Sequence, residues 1–402
     1  MNVLYLMSEW PLPTTSGARV HDKLMLRCLT TQYSADVVYW ARRPGLNHVH
    51  GARSVHILPF HELKRQARAA ALAKLMLAKT PYPTAQFMAD AARVQLSRIV
   101  AESKPDVVVL SCVELGVTLP LLRKLTSAKL VVDVHDLQGE RYRTILRTLP
   151  RSDVLGRVKH LLAMRSCSII EHDFYRDADL AWVLKQEDAH ELASYGSVPK
   201  IDMVPNVVDP DTVPNSLSFE VTLPEEPPTA VYLGNYTGAP NEQCALRLLD
   251  LFSQPNVQAT GIKLNLLGIG PTAAMKRQAA NLRNVTILGE VKRLADHLRP
   301  VDAIFVAPLV SGGGVKRKVI EGIMHGCPML TTPVGAEGLE LTSGENAIVT
   351  DANEMEKPLL RLFANRQERT RLAHAGYQHI AQRFGYERLV QSVASSFHAL
   401  LS

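Results

Sequence analysis

The stretch DAIFVAPLVSGGGVKRKVIEGIMHG, residues 302–326, carries the strongest indication of the fold. It begins with the short apolar run Ala303–Val306, turns at three consecutive glycines, and continues with helical spacing to His325 and Gly326. A buried strand, a glycine-rich turn and a helix in this order are typical of parallel α/β sheets. Ligands bind such sheets at the carboxyl ends of the strands, so the turn is a candidate binding loop.

The same alternation of apolar runs and helical stretches recurs along all 402 residues, in one series before the midpoint and another after it. Continuous apolar strands separated by helices predict parallel sheets that are covered on both faces. The sequence therefore predicts an α/β protein with two doubly wound, Rossmann-like sheets. The candidate strands are Val3–Met7, Asp36–Trp40, Asp106–Leu110, Leu130–Val134, Leu180–Leu184, Ala230–Leu233, Lys263–Leu267, Val285–Leu288, Ala303–Val306 and Pro328–Thr331.

Residues 205–228 contain six prolines and show almost no periodicity, which indicates a linker. We expect an N-terminal domain at 1–204 and a C-terminal domain at 229–380. The terminal helical segment, 381–402, is expected to return to the N-terminal domain.

Composition limits the class of protein. The five cysteines lie far apart, without the paired spacing of a zinc site or disulfide framework, which favours a reduced, cytoplasmic compartment. Residues 51–100 hold eight basic and two acidic residues, which predicts an anionic partner. A membrane surface is favoured over nucleic acid, because aromatics make up only 6% and no nucleic-acid motif is present. Residues 63–79 could form a membrane-surface helix or, equally, a solvated basic one.

The glycine turn has the chemistry of a phosphate site. Glycines allow close backbone approach, and the N-terminus of the following helix offers unpaired N–H groups to an anion. Lys316 and Lys318 add positive charge there, and Glu321 follows Lys318 by three residues, on the same side of the helix. The alternative is a flexible turn followed by a surface helix with a solvated Lys–Glu pair.

Five ordered segments, densest from Pro205 to Leu339, resemble the signatures of glycosyltransferase family 4. The resembling stretches are MVPNVVD (203–209), LGNY with PN (233–236, 240–241), LLGIGP (266–271), SGGGVKRKVIE (311–321) and GAEGL (335–339). Two positions depart from the family: Gly313 stands where many members have Glu, and Lys316 where Arg is frequent.

The resemblance implies the GT-B fold, with two facing domains and a cleft between them. It also implies transfer of a sugar from a nucleoside-diphosphate sugar, with retention of configuration and without a metal or further cofactor. It assigns catalytic roles to His135 and Lys318. Donor contacts are expected from Gly17, Asn235, Gly312, Gly313, Gly314, Val315, Lys316, Lys318 and Glu321.

His135 follows the candidate strand Leu130–Val134, at the edge where α/β enzymes place catalytic residues. The resemblance assigns it to the transferred sugar, and Asp136 could orient it. Two carboxylate pairs, Asp177 with Asp179 and Asp209 with Asp211, superficially resemble a metal motif but are attributed to structural breaks.

The predicted protein is thus a hexosyltransferase of polysaccharide biosynthesis, with a glycan or lipid-linked glycan as acceptor. It would be cytoplasmic and attach peripherally to the inner face of a membrane, without a nucleic-acid partner. Two alternatives stay open: a catalytically silent scaffold that binds nucleotide sugars, and a sugar-nucleotide epimerase of the same fold.

Overall fold

The computed structural model describes residues 1–12, 17–41, 48–149, 153–214, 217, 219, 227–311 and 315–402. The chain divides into two compact units, which we call unit 1 (Met1–Asn206 with Glu387–Ser402) and unit 2 (Val207–Tyr386). Each has its own parallel sheet, so the predicted α/β class with two doubly wound sheets is confirmed.

Unit 1 contains a seven-stranded sheet in the order β3-β2-β1-β4-β5-β6-β7, in which every pair is parallel. The strands are β1 (Asn2–Met7), β2 (Ser34–Ala41), β3 (Ser54–Pro59), β4 (Val107–Ser111), β5 (Lys129–Val134), β6 (Leu180–Val183) and β7 (Ile201–Met203). The helices are α1 (Gly17–Gln32), α2 (Arg65–Ala78), α3 (Thr84–Phe87), α4 (Asp90–Ser103), α5 (Leu119–Leu125), α6 (Gln138–Thr148), α7 (Val154–Ile169) and α8 (Gln186–Tyr195).

Unit 2 contains a six-stranded parallel sheet in the order β10-β9-β8-β11-β12-β13. The strands are β8 (Thr229–Leu233), β9 (Lys263–Leu267), β10 (Val285–Gly289), β11 (Ala303–Ala307), β12 (Met329–Thr331) and β13 (Ile348–Val349). The helices are α9 (Ala239–Phe252), α10 (Pro255–Thr260), α11 (Ala273–Ala279), α12 (Arg317–Met324), α13 (Pro333–Ala336), α14 (Glu356–Ala364) and α15 (Arg366–Phe384).

The last helix, α16 (Tyr386–Leu401), packs its buried side on unit 1. Trp182 of β6 donates a hydrogen bond from Nε1 to Ser396 Oγ at 2.8 Å, and its ring lies 5.2 Å from that of Phe397. Among the helices of the described ranges, none has the length and apolar character needed to cross a membrane.

The strand order determines where a ligand can bind. In each sheet the order of the strands reverses direction between two neighbouring strands. These neighbours are β1 and β4 in unit 1, and β8 and β11 in unit 2. Loops leave such a pair in opposite directions, which opens a crevice at the carboxyl ends of the strands. Both groups of functional candidates lie at these two positions.

Helix α12 is held against β11 through a glycine. It buries Val319, Ile320, Ile323 and Met324 on its apolar side. A Cβ atom at Gly322 would lie 2.5 Å from the Cδ2 atom of Phe305, so only glycine lets the helix approach β11 this closely. This packing fixes the helix whose first turn carries the predicted cation.

Candidate functional site

Lys318 lies in the first turn of α12, and its ammonium points to the end of β8. Its Nζ donates hydrogen bonds to Tyr232 Oη at 3.2 Å and to Asn241 Oδ1, and lies 5.2 Å from the centroid of the Tyr232 ring. Burial lowers the pKa of Lys318, and the nearby charge of Lys316 lowers it further. The ammonium is therefore held in one place and partly withdrawn from water, which strengthens its interaction with an anion.

Asn241 connects this cation to the loop that follows β8. Its Nδ2 donates to the Asn235 carbonyl at 2.8 Å, while its Oδ1 accepts from Lys318 and from Tyr232 Oη. Sequence reasoning assigned no role to Asn241, although its Pro-Asn dipeptide was among the resembling segments. The predicted donor residue Asn235 is exposed, and its Oδ1 accepts hydrogen bonds from Thr237.

Lys316 is the residue that precedes α12, and its ammonium is paired with Glu337. The Lys316 Nζ lies 3.0 Å from Glu337 Oε2, and the lysine side chain is only 9% exposed against 50% for the glutamate. The sequence did not anticipate this ion pair. A diphosphate that binds Lys316 would compete with Glu337 for the same ammonium.

Glu321 lies one turn after Lys318, beside a cavity of about 700 Å³ inside unit 2. The cavity is lined by residues 210–214, residues 292–295 and Glu321. Its volume is in the range of small-molecule sites. Burial raises the pKa of Glu321, the positive charge of Arg317 lowers it, and the buried Asp209 raises it. Residues 210–214 come from the proline-rich segment that the sequence indicated to be a linker.

Several predicted donor residues cannot be placed in this arrangement. Gly312, Gly313 and Gly314 lie outside the described residues. Val315 is half-buried against the core of unit 2. Gly17 is exposed at the start of α1 in unit 1, directly after residues 13–16, which the structure does not describe.

His135 lies immediately after β5 and is surrounded by buried polar groups from β4, β5 and α1. Its Nε2 lies 3.4 Å from Asp22 Oδ1, 3.9 Å from Asp133 Oδ2 and 3.3 Å from Ser111 Oγ. Ser111 also donates to Asp22, which fixes that carboxylate. The ring of His21 lies 4.7 Å from the ring of His135, in an edge-to-face arrangement.

These groups keep His135 charged. Burial alone lowers its pKa, but the hydrogen bond to Asp22 and the negative charges of Asp133, Asp22 and Asp136 raise it to about 9. The pKa of Asp22 is lowered: burial opposes this, but its hydrogen bond and attraction to His135 prevail. His135 is consequently an imidazolium at neutral pH and cannot accept a proton there.

Asp136 does not contact the His135 ring in the manner suggested by sequence. Its Oδ1 accepts a hydrogen bond from Lys185 Nζ at 3.4 Å, and its side chain is 48% exposed. Asp22, which lies more than a hundred residues earlier, is the carboxylate that orients the imidazole. No local sequence pattern indicates this partner, since the parallel sheet alone brings α1 beside β5.

Within the described part of the chain, one group of side chains has the spacing of metal ligands. The ligand atoms of His21, Asp133 and His135 all lie within 4.8 Å of one another. The His21 Nε2 lies 2.9 Å from Asp133 Oδ2, a distance that fits a direct hydrogen bond. The residues therefore suit a charged hydrogen-bond network, and their donor set is also one that a divalent cation accepts.

The carboxylate pair at Asp177 and Asp179 has a structural role. Asp179 Oδ2 accepts from Arg123 Nη2 at 2.7 Å and from the Leu130 amide at 2.8 Å, and the Asp177 carbonyl accepts from the same guanidinium. This agrees with its attribution to a structural break rather than to a metal motif.

Part of unit 2 matches a known protein family. Residues 227–365 match the family model of Glycosyl transferases group 1. No curated protein matches the chain at a significant level.

Solved structures resemble the whole chain. Sucrose-phosphate synthase from Thermosynechococcus elongatus superposes with a TM-score of 0.67 at 16% identity, covering 100% of this chain and 99% of that one. HepE from Anabaena, solved with UDP and glucose, has a TM-score of 0.62 at 14% identity, with 99% and 100% coverage. A glycosyltransferase from Rickettsia africae has a TM-score of 0.65 at 11% identity, with 100% and 98% coverage.

These findings confirm the resemblance to glycosyltransferases of group 1 and the fold class inferred from the sequence, and they are compatible with family 4. Residues 227–365 are similar to the group 1 glycosyl transferases, and the chain has the two-domain GT-B fold of glycosyltransferases.

Proposed function

We propose that this protein transfers a sugar from a nucleoside-diphosphate sugar to an acceptor hydroxyl, with retention of configuration. The observation that carries the proposal is the arrangement on α12. Lys318 is held by Asn241 and Tyr232 at the crevice of unit 2, and Glu321 lies one turn further along beside a cavity. All of these residues fall in the segment that matches the glycosyltransferase family.

In this proposal unit 2 binds the nucleotide. The bond between the anomeric carbon and the diphosphate oxygen breaks, a bond to the acceptor oxygen forms, and the hydroxyl proton is released. The chemical difficulty is the negative charge that develops on the departing diphosphate. Lys318 and Lys316 stabilise this charge electrostatically, as do the amides of Gly313, Gly314 and Gly17 by family resemblance. Glu321 accepts hydrogen bonds from the ribose hydroxyls, so the cavity beside it takes the nucleoside.

His135 donates a hydrogen bond to the transferred sugar, a role that rests on the resemblance and on its charged state. Because the imidazolium has no free acceptor atom at neutral pH, it does not act as a general base. We further propose a hexose donor, no requirement for a metal, and a glycan or lipid-linked glycan acceptor in polysaccharide biosynthesis. Peripheral attachment to a membrane surface belongs to the same proposal.

The test begins with thermal-shift measurements against UDP, GDP, ADP and dTDP and their glucose derivatives. A ligand that binds only the folded protein raises the melting temperature by mass action. UDP-glucose is the first donor to try, since HepE was also solved in complex with it. Turnover of the selected donor is then measured for Lys318→Ala, Lys318→Arg and, as a control, Lys276→Ala, which removes an exposed lysine of α11.

We expect Lys318→Ala to reduce turnover by about a hundredfold or more, because a fixed charge next to the leaving group is lost. Lys318→Arg should recover part of this loss, and Lys276→Ala should behave as the wild type. Near-normal turnover in Lys318→Ala would remove Lys318 from the mechanism. Donor binding without transfer to any acceptor would indicate a silent subunit, and conversion of the donor without acceptor would indicate an epimerase.

A further inference from the structure

Helix α7 of unit 1 exposes a stripe of apolar side chains. Val154, Leu155, Val158 and Leu161 are 63%, 85%, 50% and 51% exposed, and we call these four residues the α7 face. Positions 154, 158 and 161 are four and three residues apart, so their side chains lie along one side of the helix. Singly exposed apolar residues are ordinary, but a continuous stripe indicates an interaction surface.

The α7 face lies on a helical hairpin whose residues are mostly exposed or half-buried. Helix α6 packs along α7, and Gly139 is the one buried residue among the described residues of α6. Arg157 joins the two helices, because its Nη1 donates to the carbonyls of Leu146 at 3.0 Å and Leu149 at 3.1 Å. Only the second half of α7 is buried, at Ser166, Cys167 and Ile169.

The charge of this hairpin is almost entirely positive. Helix α6 carries three arginines and one glutamate, and α7 carries two arginines and a lysine with no acidic residue. The single glutamate, Glu140, is paired with Arg143. Exposed apolar side chains on a helix that is otherwise basic are the signature of binding to an anionic lipid surface.

The helix that the sequence singled out for this role is less suited to it. Helix α2 exposes Met76 and Leu77 at 53% and 88%, which are neighbours in sequence rather than members of a stripe, and it buries Ala71 and Leu75. These two side chains offer a smaller apolar surface than the four of the α7 face.

We propose that the hairpin α6–α7 docks on an anionic lipid bilayer, with the α7 face in the headgroup region and the surrounding arginines and Lys159 against lipid phosphates. The role of this docking in sugar transfer rests on the proposed function. Helix α6 begins three residues after His135, so docking would bring a lipid-linked acceptor to the edge of the sheet that carries this residue.

The experiment is co-sedimentation of the full chain with vesicles of phosphatidylcholine alone and with about 30% phosphatidylglycerol, a composition that gives the surface a negative potential. The test variant is the double change Leu155→Ser with Leu161→Ser. The matched controls are Val94→Ser, a 70% exposed apolar residue on α4 of the same unit, and the α2 double change Met76→Ser with Leu77→Ser. All of these side chains are at least half exposed, so the variants should fold, which circular dichroism verifies.

We expect binding to the anionic vesicles only. The α7 double variant should bind roughly tenfold more weakly or worse, because two apolar side chains no longer enter the headgroup region, and both controls should bind like the wild type. Lys159→Gln should bind about fivefold more weakly, the effect of one cation at an anionic surface. Absence of wild-type binding, wild-type binding by the α7 variant, or loss confined to the α2 variant would each overturn the proposal.

Light scattering without vesicles measures the oligomeric state of the wild type and the α7 variant. If the wild type is a dimer and the α7 variant is a monomer, the α7 face serves self-association, and the proposal is overturned. Donor affinity, measured by calorimetry without lipid, separates this inference from the proposed function. It should be equal in wild type and α7 variant, so a failed vesicle experiment would leave donor binding intact.

Discussion

Replacing Asp22 by asparagine tests whether His135 works as a cation. Asp22 and Asp133 are the two carboxylates nearest its Nε2, at 3.4 Å and 3.9 Å. Together with Asp136 and against the effect of burial, they raise the pKa of His135 from 6.5 to about 9. This difference corresponds to about 3 kcal/mol in favour of the charged ring. The asparagine side chain has nearly the size of the aspartate that it replaces, but it carries no charge.

We expect the variant to titrate His135 at a pH between these two values, since Asp133 remains. If somewhat more than half of the rise is lost, the pKa falls to about 7.5 and only about a tenth of the rings are charged at about pH 8.5. The wild type remains mostly charged there. The turnover of the variant should therefore be close to that of the wild type at about pH 6 and roughly eightfold lower at about pH 8.5.

The assay is the pH dependence of kcat from about pH 6 to about pH 9.5, with the donor selected by thermal shift, since such a profile reports groups that titrate in the bound complex. Asp136→Asn is the matched control, because it makes the same chemical change next to His135 at a half-exposed residue paired with Lys185. Its profile should move little. An Asp22→Asn variant that is slower by one constant factor at every pH would refute the reasoning and give Asp22 a purely structural role.

The remaining predictions concern stability and metal. Gly322→Ala should lower the free energy of unfolding by about 1–3 kcal/mol, because its Cβ would clash with Phe305, and thermal denaturation will show whether it does. The pKa of His135 is raised on folding, so its contribution to stability is complete below about pH 6.5 and disappears as the pH rises through about 9. The stability difference between wild type and His135→Gln should shrink over that interval, and a difference that grows would contradict the assignment. Overnight dialysis against EDTA should leave transfer unchanged; lost activity that zinc or manganese restores would instead identify His21, Asp133 and His135 as metal ligands.

The central strands of both sheets could be predicted from the sequence, and most of the edge strands could not. All ten candidate strands are present in the sheets. The three strands that the sequence did not reveal, β3, β7 and β13, are edge strands. Most of their residues are only partly buried, so they lack the continuous apolar run by which a central strand is recognised.

The same distinction applies to the candidate site. Lys318 and Glu321 could be singled out as candidates because the glycine turn and the helix that carry them form one local sequence pattern. Asn241 and Asp22 could not, because each acts on a residue that is distant in sequence and adjacent only after the sheet has formed. A single sequence shows which polar residues are present, but the topology of the sheet determines which of them form buried pairs.

Tyr232 is part of the hydrophobic core of unit 2, and it also holds the ammonium of Lys318 in place. Its ring is fully buried in β8, and its hydroxyl accepts a hydrogen bond from the Lys318 ammonium. Any change that shifts this ring to relieve a packing defect also displaces the charge above it. Redesigning β8 to stabilise unit 2 would thus perturb the proposed donor site without touching a surface residue. Under the proposed function, laboratory evolution of activity can be expected to select substitutions beneath this site.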